Sequence, residues 1–277
     1  MTRVGLHDLA TSHPGIFAPL LAGLGMPVTA VHDPVAARVD GFLRAHPGVV
    51  ATASLAELAA VTDVVMLLGR DWDQRLTQVE ELVALGVPVF VDKPMAGTAA
   101  ELRRIADLAD AGARIDGGSA LRVAPEAVAV PPCARLEVTC DGHPLYYGVH
   151  AVALATAVLG PGLVASAGTP GDTAHAIRGV IEHASGAKIS VSVTETQPAG
   201  GFRAVGPDGV IEPSADLFYA ALLGDALPRL TSAAPARPGR SLVECELALL
   251  AMAWSAATGG APVRLDDVPP GFRPWRP

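Results

Sequence analysis

Lysine is scarce in this chain of 277 residues, whose basic residues are 18 arginines and only two lysines, Lys93 and Lys188. Lys93 lies in V-P-V-F-V-D-K-P (87–94), just past an apolar run that reads as a buried strand. Doubly wound sheets bind their ligands at this rim, beyond the carboxyl ends of the strands. A lysine there orients a hydroxyl and stabilises a developing alkoxide; on a solvated loop it would only form a salt bridge.

The segment V-G-L-H-D-L-A-T-S-H-P-G (4–15) has the frame of a first strand running into a first helix, where a dinucleotide-binding chain carries glycines. Asp8 and Ala10 occupy the G-x-G positions instead. The open helix start at Thr11, Ser12, His13 and Pro14 favours an anion, and these residues border the expected nucleotide site. The Asp8 carboxylate has two readings. It repels a pyrophosphate, at about 1 kcal/mol in water for like charges ~4–5 Å apart and several times that in a drier cleft; or it caps the helix and takes the phosphate's place. Asp33, at the end of T-A-V-H-D-P (29–34), either accepts hydrogen bonds from an adenosine ribose, favouring NAD over NADP, or starts the next helix before Pro34.

The elements that must position these residues follow a regular alternation. Strand patterns at 3–9, 27–33, 49–51, 63–68, 87–92 and 113–118 are separated by helical patterns at 14–25, 34–46, 54–61, 71–86 and 98–111. Ser54 with Glu57, and Thr98 with Glu101, have the spacing of capping boxes. Strands separated by helices imply parallel βαβ units and a doubly wound Rossmann sheet over 1–118. After Gly118 the pattern changes to longer strands at 134–140, 175–185, 187–196 and 202–212, with helices at 148–159, 214–226 and 241–258. Residues 119–277 therefore read as a second, α+β domain with a mostly antiparallel sheet. The segment 232–240 reads as an exposed loop.

Composition limits the function classes. Half the chain is apolar, which supports a large core, and the net charge of −8 without a basic run argues against nucleic acid. Three scattered cysteines fit neither a disulfide framework nor zinc, and no histidines and carboxylates have metal spacing, so no metal is expected. With no signal-peptide pattern and no apolar run of spanning length, the expectation is a cytoplasmic protein without a membrane partner, acting on a small molecule.

The segment 87–112, strand then Asp-Lys-Pro then capped helix, resembles the E/D-K-P segment of the Gfo/Idh/MocA oxidoreductases. G-G-S-A-L-R-V-A-P-E (117–126), Y-Y-G-V-H-A-V-A-L-A-T-A-V-L-G-P-G (146–162) and G-A-P-V-R-L-D-D (260–267) resemble further segments of that family, in the same order. The resemblance implies a Rossmann domain joined to an α+β domain, a homo-oligomer (dimer or tetramer), and NAD or NADP as cofactor. The implied reaction is hydride transfer at a secondary alcohol or ketone of a sugar, cyclitol or related polar metabolite. His150 matches the family's catalytic histidine, and a neutral imidazole accepts the hydroxyl proton. Lys93 matches the lysine facing nicotinamide and substrate.

Two departures fall beside those positions. Tyr146 stands where inositol dehydrogenases carry an aspartate, and Arg75 stands where the family has a histidine. Arg70 replaces part of the loop on the cofactor side, while Arg122, Glu126 and Tyr147 are candidates to face the cleft, Tyr147 as a second hydroxyl donor. Without a dinucleotide, Lys93, His150 and Tyr146 still support proton abstraction beside a carbonyl, hence an isomerase, lyase or cyclase. A catalytically silent binding or regulatory paralogue is the third reading.

Overall fold

The computed structural model describes residues 1–170, 176–196 and 198–277. Its first half alternates strand and helix: β1 (Val4–His7), α1 (His13–Gly23), β2 (Val28–His32), α2 (Ala36–Ala45), β3 (Val50–Ala51), α3 (Leu55–Val61), β4 (Val64–Leu67), α4 (Arg75–Ala84), β5 (Val89–Asp92), α5 (Ala99–Asp110) and β6 (Ile115–Gly118). The six strands pair in parallel in the order β3-β2-β1-β4-β5-β6. Every residue of β1, β4, β5 and β6 is buried, as expected of a sheet covered on both faces. The strand order reverses at β1 and β4, so the loops after His7 and Leu67 flank the crevice where such sheets bind ligands.

Local sequence sets the ends of these elements. Gly25, at φ 71, closes the first helix in a left-handed turn. The Thr98 hydroxyl accepts from the Glu101 N–H while the Glu101 carboxylate accepts from the Thr98 N–H, a complete capping box that starts α5 directly after the D-K-P loop. Thr98→Ala is expected to cost about 1 kcal/mol and lower Tm, read by thermal unfolding. Gly117 sits at φ 134, and a Cβ there would fall 2.2 Å from the Val91 carbonyl oxygen. Only glycine lets β6 approach β5 this closely beside Asp92.

The second half contains α6 (Pro125–Val128), β7 (Arg135–Asp141), α7 (Gly148–Leu159), β8 (Leu163–Gly168), β9 (Ala176–His183), β10 (Lys188–Thr194), β11 (Gly200–Gly206), β12 (Gly209–Ile211), α8 (Ala215–Leu230), α9 (Gly239–Ala257) and β13 (Val263–Arg264). The order is β12-β11-β7-β10-β9-β8-β13, antiparallel throughout except for the parallel pair β7–β10. Alternate residues of β7 and β10 are buried, so one face packs on the core while the other stays open. The predicted strand 202–212 divides into β11 and β12 around Pro207–Asp208, and β8 and β13 were not anticipated. His175, at the predicted start of the ninth strand, lies outside the described residues.

The two sheets are tied through α9 and the C-terminal tail. The Arg103 guanidinium donates to the carbonyls of Leu265, Asp266 and Val268, and the Ala100 N–H donates to the Pro270 carbonyl. Arg237, in the segment expected to be an exposed loop, is instead largely covered and pairs with Asp116 of β6 and with Asp225. No helix among the described residues is long and apolar enough to cross a membrane.

Candidate active site

Four elements converge on Lys93: the end of β5, the start of α1, the segment after β6 and the start of α7. Lys93 is 3 % exposed. Its Nζ sits 3.2 Å from the centroid of the Tyr146 ring and 3.5 Å from the Tyr146 carbonyl oxygen. The Tyr147 ring follows at 5.5 Å. No carboxylate oxygen lies within salt-bridge distance of Nζ among the described residues. Burial pushes the Lys93 pKa down to about 8; neighbouring Asp92 opposes this, and the cations Arg75 and Arg70 add to it.

His150, on the first turn of α7, is buried, with Nδ1 2.7 Å from the Ser119 Oγ. Ser119 follows β6 and also accepts the Leu121 N–H, so its position is fixed by backbone. The second ring nitrogen, Nε2, has no hydrogen-bond partner among the described residues. Burial, then the charges of Lys93 and His13, push the His150 pKa well below its ordinary value, keeping the imidazole neutral. In the tautomer whose Nδ1–H donates to Ser119, Nε2 carries a free lone pair.

A third polar pair lies behind these. His13 Nδ1 is 2.6 Å from Asp92 Oδ2, and His13 Nε2 is 3.3 Å from the Tyr219 hydroxyl. Burial raises the Asp92 pKa, but His13, Lys93 and Arg75 outweigh it and hold the carboxyl below its usual value. His13, expected at the cofactor, thus has both ring nitrogens engaged inside the protein. Its interior pairing was not anticipated, although Asp92 is the acidic residue of the D-K-P motif. Tyr219 and Phe202 also escaped the sequence, because they lie far along the chain in segments without a motif. Phe202 packs 4.9 Å from the His150 ring. Both aromatics wall a neighbouring pocket of about 560 Å³, completed by Arg203, Glu212 and Phe218.

The remaining candidates divide. Tyr146 presents its ring face to Lys93, and burial raises its phenol pKa to about 12, so it supplies no charge. Exposed Arg70 lies 5.4 Å over the same ring, at the rim of the site. Arg75 is corrected. It is completely buried and its guanidinium donates to the Leu67 and Gly69 carbonyls, closing the end of β4 rather than meeting substrate. Arg122 is corrected too, being held inside against Asp116 at 2.6 Å with Arg229 and Arg237 around the same carboxylate. Glu126 accepts the Ser214 N–H. Among the described residues no cluster of histidine, cysteine and carboxylate is arranged to hold a metal.

Glu246 of α9 supports the loop from beneath. It is 1 % exposed, and its Oε1 accepts the Met95 N–H at 3.1 Å, just after Lys93–Pro94. Burial raises its pKa to about 7, opposed by hydrogen bonds from Met95 and its own N–H and by Arg122. A raised folded-state pKa gives full stability below about 4.5 that is lost as pH climbs through 7. Glu246→Gln keeps an acceptor for Met95. It is expected to remove this loss, roughly 3 kcal/mol between pH 4.5 and 9, in denaturant titrations.

The dinucleotide turn can be tested residue by residue. Asp8 stands at φ 65, the left-handed corner that a fingerprint glycine would take and that aspartate tolerates. Its Oδ1 accepts the Ala10 N–H at 2.9 Å, and its Oδ2 lies 2.6 Å from where a Cβ on Gly69 would be. The carboxylate therefore spans the crevice between the β1 and β4 loops. Asp33, read either as a ribose contact or as the start of the next helix, has a fully covered side chain that accepts the Leu9 and Val35 N–H groups at 2.7 Å each, with Arg38 at 3.4 Å. Thr11 donates to the Leu68 carbonyl, and Ser12 heads α1 without capping it. Acidic side chains thus hold two N–H groups that a pyrophosphate would need, and the turn does not fit one in the usual way.

No protein-family model matches the sequence, and no curated protein matches it. Solved structures do match. GenD2 from gentamicin A biosynthesis, solved with NAD, superposes with a TM-score of 0.77 at 17 % identity, over 95 % of this chain and 96 % of that one. The scyllo-inositol dehydrogenase of Lactobacillus casei gives 0.75 at 11 % identity, covering 96 % and 98 %. The UDP-N-acetylglucosamine 3-dehydrogenase GnnA of Acidithiobacillus ferrooxidans gives 0.73 at 15 %, covering 92 % and 97 %. This chain has the fold of the Gfo/Idh/MocA-type dehydrogenases. In this fold Lys93 follows the fifth strand and His150 lies on the first turn of α7.

Proposed function

We propose that this chain is an enzyme of the dehydrogenase fold that moves a proton at the oxygen-bearing carbon, or the carbon beside it, of a small polyhydroxylated carbonyl compound, without a bound dinucleotide. The observation that carries this reading is the Asp8 carboxylate lodged between Ala10 and Gly69 in the crevice, in a chain that has buried Lys93 and His150. Lys93 polarises the substrate oxygen and stabilises enolate charge. His150, neutral and anchored by Ser119, takes the proton from carbon at Nε2 and returns it to a neighbouring position. Phe202 and Tyr219, which touch His150 and His13, also wall a pocket of about 560 Å³, the size of a small-molecule site, whose lining includes neither histidine.

In D2O with a panel of small polyhydroxy ketones and no nicotinamide, the protein is expected to exchange the hydrogen beside the carbonyl, followed by NMR. His150→Ala is expected to slow exchange by about 10²–10⁴-fold. Absence of exchange across the panel, with ketone-dependent NADH oxidation instead, overturns the proposal.

A second reading, NAD(P)-dependent hydride transfer at a secondary alcohol or ketone of a sugar or cyclitol, is favoured by one observation. Ser12 does not cap α1, so that helix start can still accept an anion. The NAD held by GenD2 on the same fold supports it. The sheet-rich second half supports assembly into a dimer or tetramer.

A further inference from the structure

Resting on the proton-transfer reading above, the geometry points to a covalent role for the D-K-P lysine: we propose that the Lys93 Nζ condenses with the carbonyl carbon of an aldose or ketose to form an imine. In an ordinary dehydrogenase-like role this amine would only donate a hydrogen bond. Here it is buried, faces an aromatic ring, and has no carboxylate partner within salt-bridge distance among the described residues. Asp92, the nearest acidic neighbour in sequence, has its Oδ2 committed to His13. A buried amine beside other cations holds a larger share of nucleophilic free base than an exposed lysine, a share that grows as pH passes 8. Its pKa near 8 agrees with that reading.

The step balances without any further reagent. The Nζ lone pair forms the C–N bond; two protons pass from nitrogen to the carbonyl oxygen, which departs as water as the C=N bond forms. Protonation of the imine nitrogen gives an iminium that draws electrons from the neighbouring C–H bond. His150 Nε2 receives that proton and returns it to the same carbon, on the same or the opposite face, which restores the iminium; water addition then releases the carbonyl product, the amine and the proton taken up at nitrogen. The Tyr146 ring, lying against Nζ, must swing aside to admit the carbonyl.

The chain provides its own control, because Lys188 is the only other lysine and is exposed, paired with Glu182. Native protein is incubated with dihydroxyacetone or glyceraldehyde, reduced with borohydride, and mapped by peptide mass spectrometry. Reduced adduct is expected on Lys93 in excess over Lys188 and the N-terminus by roughly 10-fold, rising with pH through about 8. The label is expected to be unaltered by Lys188→Arg. Adduct on Lys188 and the N-terminus alone overturns the imine. If His150-dependent exchange persists while Lys93 stays unlabelled, the imine fails and proton transfer stands. If both labelling and exchange are absent and NADH binds, the proton-transfer reading fails as well. Because trapping uses the native protein, no outcome depends on a variant that folds poorly.

Discussion

Lys93→Met is expected to make the protein more stable and inactive at once. A lysine whose folded-state pKa falls from 10.5 to about 8 carries an unfavourable buried charge at neutral pH. Below pH 8 both folded and unfolded chains hold the proton, and the full cost applies. Between 8 and 10.5 the unfolded state binds more protons, so native stability rises with pH there. Some 2.5 units correspond to roughly 3 kcal/mol, which methionine, of similar length and apolar, removes. The stability gain is therefore expected to be largest at or below pH 7, shrinking steadily from pH 8 towards 10.5. Urea unfolding at pH 7 and 9.5 measures this, and the exchange assay measures the loss of activity. A residue that costs this much and closes no ion pair fits selection for chemistry rather than for folding.

Asp8→Gly is expected to create dinucleotide binding where the native protein has little. Glycine takes the φ 65 corner without strain, frees the Ala10 N–H, and withdraws the carboxylate from Gly69. A carboxylate ~5 Å from a phosphate charge costs about 3 kcal/mol at an effective dielectric of 20. Its removal is expected to tighten NADH binding by at least ~100-fold. Asp8→Asn separates charge from shape, removing the repulsion while keeping a side chain in the crevice. If Asn gives most of the gain, electrostatics excludes the cofactor; if only Gly does, the crevice is filled sterically.

The fold was legible because the apolar runs and capping residues repeat at βαβ spacing. Thr98 and Glu101 cap α5 as their spacing predicts, and Gly25 closes α1. The hairpin at 200–211 merged into one predicted strand because Val205, Val210 and Ile211 continue the apolar pattern across Pro207–Asp208. In the site, the strand-end position and the motif placed Lys93 and His150. The side chains around them could not be read in the same way. Arg75 stands where the family has a histidine and Arg122 lies in a family-like segment at the domain junction, which pointed both to the cleft; in the fold one closes β4 and the other neutralises buried Asp116. Asp33 carried two readings, and the fold resolves them towards backbone capping, since Leu9 and Val35 converge on it. The His13–Asp92 pair joins residues 79 positions apart, a separation no local pattern encodes.

The central claim is that acidic side chains have closed the nucleotide crevice of a dehydrogenase fold while its proton-transfer residues persist. Calorimetric titration of the native protein with NADH, and separately with NADPH, tests it most directly. Heats indistinguishable from dilution into the millimolar range, with binding appearing in Asp8→Gly, are the predicted result. Micromolar binding of either dinucleotide by the native protein would contradict the claim and return the chain to hydride transfer.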